Sequence, residues 1–203
     1  QIYMESKMWF NDVELESENI TLTPLTMAHA DALVNAATDG ELWKLWFTSV
    51  PNAETISEYI ATALEQKSKG LSLPFVVIQK ASGEVIGSTR FCNADHVNQR
   101  VEIGYTWYRK AYQKTSCDTE CKLLLLNHAF ETLNAIAVEF RTSWHNQASR
   151  AAIARLGAKQ DGVLRNHQRL PSGGYRDTVV FSIINTEWLA VKENLTFKLS
   201  MKS

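Results

Sequence analysis

The sequence has few cysteines, few prolines and no long apolar run, and each shortage excludes a class of protein. Three cysteines are an odd number and too few for the disulfide framework of a small secreted domain. Four prolines and nine glycines leave no room for a collagen-like or low-complexity tract. No apolar run approaches the ~18 residues that a membrane span needs. We therefore expect a reduced, cytoplasmic protein without a membrane partner.

The charges show no excess of either sign. The chain carries 21 Lys and Arg residues against 22 Asp and Glu residues, which leaves a net charge of −1. Domains that bind nucleic acid are usually strongly basic, so we expect no direct nucleic-acid partner. The hydrophobic fraction, 45% of 203 residues, is large enough to build a core.

No repeat, linker or break in composition divides the chain. We expect one domain over residues 19–199. Residues 1–18 show no signal-peptide pattern, and we interpret them as an extension that is partly of vector origin.

Hydrophobic periodicity and turn residues predict alternating strands and helices. The predicted strands are residues 20–24, 75–79, 85–91, 101–108, 136–144, 163–170 and 175–184. The predicted helices are residues 28–38, 53–69, 119–133, 147–156 and 186–199. This order predicts a mixed α/β (α+β) fold with antiparallel hairpins in the middle of the chain.

Four stretches resemble the GCN5-related N-acetyltransferase (GNAT) superfamily, and in particular the branch that acetylates the amino termini of ribosomal proteins. They are residues 101–107 (VEIGYTW), 120–130 (ECKLLLLNHAF), 146–158 (NQASRAAIARLGA) and 176–182 (RDTVVFS). Their order and spacing carry the resemblance, which spans about residues 20–199. It implies a seven-stranded mixed sheet flanked by helices and splayed near Gly104, so that the pantetheine arm of the donor enters the wedge.

The resemblance also implies the reaction, the transfer of an acetyl group from acetyl-CoA to a primary amine in a ternary complex. The acceptor would be a protein amino terminus or a small amine. Such a reaction needs a base that takes a proton from the amine, a donor to the thioester oxygen and an acid for the leaving thiolate. Glu102 is the candidate base, acting directly or through water, and Ser149 is the candidate acid. The alternative for Glu102 is a surface glutamate paired with Arg100 or Arg141.

The resemblance assigns residues to both substrates. Tyr105, Thr106 and Trp107 would form the strand edge that pairs with the pantetheine arm, because a glycine before them suits close approach of another backbone. Asn146 would contact the donor, although an asparagine at this point is also typical of a helix cap. Trp43 and Trp46 would line the acceptor site.

The pyrophosphate loop departs from the family pattern. The family places Gln/Arg-x-x-Gly-x-Gly/Ala before the long helix, where this chain has Gln113, Lys114, Thr115, Ser116, Cys117, Asp118 and then Thr119. We expect the backbone of Gln113–Thr119 to hold the pyrophosphate, since a helix amino terminus presents free N–H groups to anions. The Asp118 carboxylate would compete for those groups unless it turned away and capped the helix.

Two alternatives to an acetyl-CoA-dependent enzyme stay open, and the departures of this loop are the reason for the first. The chain could be a catalytically silent module that keeps the fold for ligand binding or oligomerisation, or it could use another acyl donor or acceptor, such as an aminoglycoside.

Cys117 and Cys121 lie one helical turn apart, but no second pair of ligands accompanies them, so we expect no metal. Residues 163–170 and the carboxy-terminal segment suit a homodimer surface.

Overall fold

The computed structural model describes residues 9–44 and 49–202, which form eight strands and five α-helices. The strands are β1 (Leu15–Glu16), β2 (Ile20–Pro24), β3 (Leu73–Gln79), β4 (Val85–Asp95), β5 (Arg100–Tyr108), β6 (Ala137–Ser143), β7 (Lys159–Arg169) and β8 (Tyr175–Ile184). The helices are α1 (Ala30–Thr38), α2 (Ile56–Ser68), α3 (Cys117–Asn127), α4 (Gln147–Arg155) and α5 (Trp188–Ser200). None of the described helices is long and apolar enough to cross a membrane.

The strands form one mixed sheet in the order β1-β2-β3-β4-β5-β6-β8-β7, and the predicted count of seven is wrong by one. The additional strand, β1, has two residues, which is too short for an alternating pattern to reveal it. The residues around it pack on the sheet, because the Phe10 ring stacks on Phe91 and Trp9 Nε1 donates a 2.9 Å hydrogen bond to the Leu133 carbonyl. The mixed α/β architecture itself is confirmed.

The sheet opens between its two central strands. Strands β5 and β6 are parallel neighbours, and their pairing runs only from Arg100↔Ala137 to Glu102↔Glu139. On its other side β5 pairs with β4 from Gly87↔Tyr108 to Asp95↔Arg100, and the register shifts between Ser88 and Arg90. Tyr105 lies in this bulge at φ +53°. Since a bulge bends its strand, β5 turns away from β6 and leaves the wedge expected near Gly104.

Two hydrophobic clusters lie on opposite faces of the sheet. The larger one contains Phe75 and Val77 of β3 together with residues of α3 and α5, such as Leu125 and Leu195. The smaller one contains Val76 of β3 with residues of α1 and α2. Consecutive residues of β3 reach different clusters because side chains alternate across a strand. The helices α1 and α2 therefore cover one face, and α3 and α5 cover the other.

Candidate active site

A cleft of about 370 Å³ opens where β5 and β6 stop pairing. The predicted site residues that line it are Glu102, Tyr105, Thr106, Trp107, Asn146 and Ser149. The fold thus brings together both predicted catalytic residues and the predicted residues of the pantetheine edge. Because β6 pairs with β5 only as far as Glu102, alternate N–H and C=O groups of the following β5 residues have no partner on β6. An extended amide-containing chain such as the pantetheine arm fits this edge.

Glu102 is buried on β5 beside the cleft, with 8% of its surface exposed. Asn93 Nδ2 donates a 2.9 Å hydrogen bond to Glu102 Oε1, and Arg141 Nε lies 3.7 Å from the same oxygen. Burial raises the pKa of Glu102, while the Asn93 hydrogen bond and the Arg141 charge partly oppose the rise. A carboxylate with a raised pKa is a better base near neutral pH than an exposed one.

Gly104 leaves the space that the Glu102 carboxylate occupies. A Cβ atom at this position would lie 3.0 Å from Glu102 Oε2 and 3.4 Å from Cys92 Sγ. The next residue, Tyr105, has a positive φ, and Thr106 Oγ1 lies 2.8 Å from Thr89 Oγ1 across the bulge. The glycine and the bulge together place the carboxylate and the free strand edge on the same wall of the cleft.

The opposite wall is the first turn of α4. Asn146 Oδ1 accepts a 3.1 Å hydrogen bond from the Ser149 backbone N–H, so Asn146 caps the helix as the alternative interpretation expected. Both residues also line the cleft, and the capping and binding roles are therefore compatible in position. The cap fixes the first turn of the helix, and with it the position from which Ser149 reaches the cleft.

The residues from Gln113 to Thr119 lie at the start of α3 and do not line the cleft. Lys114 adopts φ +58°, a conformation that glycine adopts without strain, and Thr115 Oγ1 donates a 2.7 Å hydrogen bond to the Tyr112 carbonyl. These contacts shape a tight turn into the helix, whose first N–H groups have no intrahelical acceptors.

The Asp118 carboxylate points away from those N–H groups. Asp118 Oδ1 accepts 2.8 Å hydrogen bonds from the Tyr108 hydroxyl and from Lys122 Nζ. Burial opposes ionisation of Asp118, but the Lys122 charge and the two hydrogen bonds outweigh it, so the pKa of this carboxyl is lowered. Lys122 is itself buried and lines the cleft, so it connects the Asp118 carboxylate to the cleft.

A second cavity, of about 580 Å³, adjoins the cleft on the side of α2. Tyr59, Asn93 and Tyr105 line both cavities, so the two meet beside the bulge of β5. Trp43 is half-buried against the α1–α2 cluster and lines neither cavity, and Trp46 lies outside the described residues. The side chains that α2 and β4 supply to this cavity, such as Tyr59 and Arg90, were not among the residues predicted from the sequence.

Three more cleft residues were missed or given another role. Arg176 lines the cleft and donates a 3.1 Å hydrogen bond from Nε to Thr178 Oγ1. His167 lies 2.8 Å from the same hydroxyl. Arg141 lies beside Glu102. They come from β6, β7 and β8, the three strands on the other side of the wedge from β5, and only the strand order places them together.

A mixed sheet that splays beside a bulged central strand, with a carboxylate and a helix start facing each other across the opening, defines the acyl-CoA N-acyltransferase class. A family model described as an acetyltransferase (GNAT) domain matches residues 19–159. The chain therefore belongs to the GNAT family and is an N-acetyltransferase. The resemblance found in the sequence is confirmed, and GNAT enzymes use acetyl-CoA.

Relatives and solved structures agree with this membership. An uncharacterised N-acetyltransferase, p20 of Bacillus licheniformis, is 28% identical over 178 residues, which are 86% of this chain and 97% of that protein. YdaF of Bacillus subtilis (strain 168), provisionally named a ribosomal N-acetyltransferase, is 31% identical over 106 residues, 52% of this chain and 57% of that protein. A crystal structure of a GCN5-related N-acetyltransferase from Brucella melitensis has a TM-score of 0.80 and 30% identity, covering 92% of this chain and 85% of that one.

Proposed function

We propose that the protein acetylates the α-amino group of a protein amino terminus, of the ribosomal-protein type, or a small primary amine, with acetyl-CoA as donor. The observation that carries the proposal is the meeting of two cavities beside the bulge of β5. The cleft in the wedge suits the donor, and the wider cavity next to α2 suits the acceptor. A ternary complex needs such a junction, since the amine must reach the thioester carbon.

The donor would lie along β5 with its phosphates at the start of α3. Backbone groups of Tyr105, Thr106 and Trp107 would pair with the pantetheine arm and donate to the thioester oxygen as it gains charge. The turn at Gln113–Thr119 would hold the pyrophosphate on its N–H groups. Asn146, which caps α4 on the facing wall, would complete the donor site.

Glu102 and Ser149 would then carry the two proton transfers. The amine nitrogen attacks the thioester carbon, the C–N bond forms and the C–S bond breaks. The proton of the amine passes to Glu102, directly or through water, and the leaving thiolate takes a proton from the Ser149 hydroxyl. Ser149 then regains a proton from water, and Glu102 releases its proton to water. The raised pKa of Glu102 supports this role, because the carboxylate then accepts a proton more readily.

The contacts of Asp118 favour an active enzyme over a silent module with the same fold. The silent alternative depended on the Asp118 carboxylate occupying the anion site. In the structure that carboxylate binds Tyr108 and Lys122 instead, and therefore competes less with an incoming phosphate. The acceptor type is supported by the name of YdaF, a relative that shares about half of this chain.

The experiment begins with calorimetric titration of acetyl-CoA, with free CoA and desulfo-CoA alongside. Micromolar affinity, roughly −8 kcal/mol, is expected if the loop holds pyrophosphate. Acetyl transfer to amines and amino-terminal peptides is then measured between about pH 6 and 9, around the pKa range of amines and a raised base. Ser149→Ala should lower the rate, with Ser172→Ala on the exposed β7–β8 turn as the matched control. No binding of acetyl-CoA by the folded protein would leave the silent module as the better description.

A further inference from the structure

Arg90 is a buried cation on the wall of the second cavity. It lies on β4 with 5% of its surface exposed. Its guanidinium carbon lies 4.1 Å from the centre of the Tyr105 ring and 5.1 Å from that of Tyr59. Both rings stabilise the cation, since cations are attracted to aromatic faces. The edges of the group, which carry its N–H donors, remain to be satisfied.

Two nitrogens of Arg90, Nε and Nη2, are buried and have no hydrogen-bond partner among the described residues. These two nitrogens share one edge of the guanidinium, and their N–H bonds point in the same direction. Such an edge fits the two oxygens of a carboxylate in a bidentate pair. A buried donor without an acceptor is costly, and native structures rarely keep one without a reason.

No carboxylate of the described part of the chain lies within ion-pair distance of Arg90. Glu58 lines the same cavity from α2 but is exposed and forms no ion pair with it. Glu102 pairs with Arg141 on the other side of β5. Arg90 lines the second cavity and not the cleft, so its position also separates it from the phosphates of a donor in the wedge.

We propose that Arg90 binds a carboxylate of the acceptor, so that the enzyme selects amines that carry a negative charge near the amino group. The inference rests on the proposed function, because it assigns the second cavity to the acceptor. The carboxylate has two sources, an acidic side chain near a peptide amino terminus or the α-carboxylate of a free amino acid. Tyr59 and Tyr105 would hold the guanidinium in place when the carboxylate binds.

The test compares acceptors that differ only in charge. One arm uses peptide pairs with Asp or Asn at the second or third residue, and the other uses free amino acids against their amides. For the wild-type enzyme we expect kcat/KM to be about tenfold or more higher for the carboxylate-bearing acceptor than for its uncharged partner in one of the two arms. This ratio corresponds to the strength of charge-assisted hydrogen bonds. The arm that shows the preference identifies the source of the carboxylate.

Three variants assign the preference to Arg90. Arg90→Gln should reduce the preference for the carboxylate acceptor to about twofold or less. Arg90→Lys should retain only part of that preference, because an ammonium keeps the charge but lacks the two parallel N–H donors of a guanidinium. Arg155→Gln, on the exposed last turn of α4, is the matched control and should keep the full preference. Thermal unfolding of each variant shows that it folds. Arg90→Gln removes the contacts of the cation with Tyr59 and Tyr105, but it removes no hydrogen bond of Nε or Nη2.

The outcomes distinguish this inference from the proposed function. If acetyl transfer proceeds at equal rates to charged and uncharged acceptors, Arg90 does not bind a carboxylate of the acceptor, and the proposed acetyltransferase function is unaffected. If no acceptor in the panel is acetylated, thermal shifts decide without the reaction. Stabilisation by the acidic member of a pair and not by its amide, lost in Arg90→Gln, supports the inference, and the same small shift for both members overturns it.

Discussion

Glu102 shows how one residue acquires a function from its surroundings. Its carboxylate is buried, receives one hydrogen bond from Asn93 and lies 3.7 Å from Arg141, which is enough to hold it in place but not to offset burial fully. Its pKa is therefore raised. Directly opposite on β6, Glu139 binds the same arginine but lies outside the cleft. The two glutamates form a natural comparison.

We predict that Glu102→Gln lowers kcat/KM by about 10²- to 10⁴-fold, the range of a lost general base. It should also remove the acidic limb of the pH–rate profile, because that limb reports protonation of the base. Glu139→Gln should keep the limb but move it to lower pH, since the charge of Glu139 contributes to the raised pKa of Glu102. Initial rates across the pH range measure both effects. A full rate for Glu102→Gln at every pH would assign the base elsewhere.

Asp118 carries a prediction about stability. Its lowered pKa means that the folded state favours the ionised form of this carboxyl. The contribution of Asp118 to the free energy of unfolding is therefore complete above its ordinary pKa of 3.8, and it is lost as the pH falls through the pKa in the folded state. Asp118→Asn should lower the free energy of unfolding at pH 7 by about 1–3 kcal/mol. This range is below that of a fully buried pair, because Lys122 is buried but the Asp118 side chain keeps 38% exposure.

Urea unfolding at pH 7 and at about pH 3, below the usual aspartate pKa, measures this difference. The matched control is Glu65→Gln, which removes an exposed ion pair with Lys69 at the same helical spacing. Its effect should stay below about 0.5 kcal/mol. An Asp118→Asn penalty as large at the acidic pH as at pH 7 would contradict the electrostatic origin.

At the scale of elements, the strands β4 and β5 are brought unusually close at Gly87. A Cβ atom there would lie 2.3 Å from the Trp107 carbonyl oxygen, which belongs to backbone and cannot rotate away. Gly87→Ala should therefore destabilise the fold by about 2–3 kcal/mol, as overpacking does. It should also weaken binding of acetyl-CoA, since Trp107 lies on the edge assigned to the donor. Gly162→Ala, where a Cβ meets nothing within 4 Å, is the control and should stay within about 0.5 kcal/mol.

Elements with strong local signals were predicted well, and elements defined by their partners were not. Strand β8 was predicted at its observed bounds, and α4 begins at Gln147 as expected, because Asn146 and Gly157 mark its ends. The predicted strand 85–91 continues to Asp95, since β5 supplies a hairpin partner for residues 92–95, a segment that the polar residues Asn93 and Asp95 interrupt in sequence. The helix predicted over 119–133 ends its α-helical part at Asn127 and continues as a π-helical turn, His128–Thr132.

The residues of the candidate site likewise fall into those with local signals, which the sequence predicted, and those defined by distant neighbours, which it did not. Glu102, Asn146 and Ser149 were found because their motifs are local and resemble a family. Arg90 carries a weaker signal, a single cation inside an apolar strand, whose meaning depends on the rings of Tyr59 and Tyr105. Tyr59 comes from a helix that is distant in sequence, and periodicity reveals only that part of it is buried. Long-range neighbours of this kind follow from topology, which the sequence pattern alone does not specify.

At the scale of the molecule, the sheet consists of two halves that are joined by a short seam, the parallel pairing between β5 and β6. Strands β1–β5 form one half and β6, β8 and β7 form the other, and the two halves share only the register from Arg100↔Ala137 to Glu102↔Glu139. Helix α3 packs on α5 behind the seam and supports it from one face. A ligand that lies in the wedge would therefore contact both halves where they do not contact each other.

We predict that binding of CoA protects the wedge from hydrogen exchange more than any other part of the sheet. At a concentration of 100 times Kd, openings that release the ligand become less favourable by about 2.7 kcal/mol, which slows exchange about 100-fold. Amides of residues 103–107 on β5 and 140–143 on β6 should show this protection, because these segments face the ligand across the opening. The pairing of β2 with β3 lies away from the wedge, and local opening of this pairing does not release CoA. The rate of hydrogen exchange at its amides should therefore change by less than about threefold. Equal protection of both regions, or protection of the β2–β3 amides alone, would show that CoA does not bind between β5 and β6.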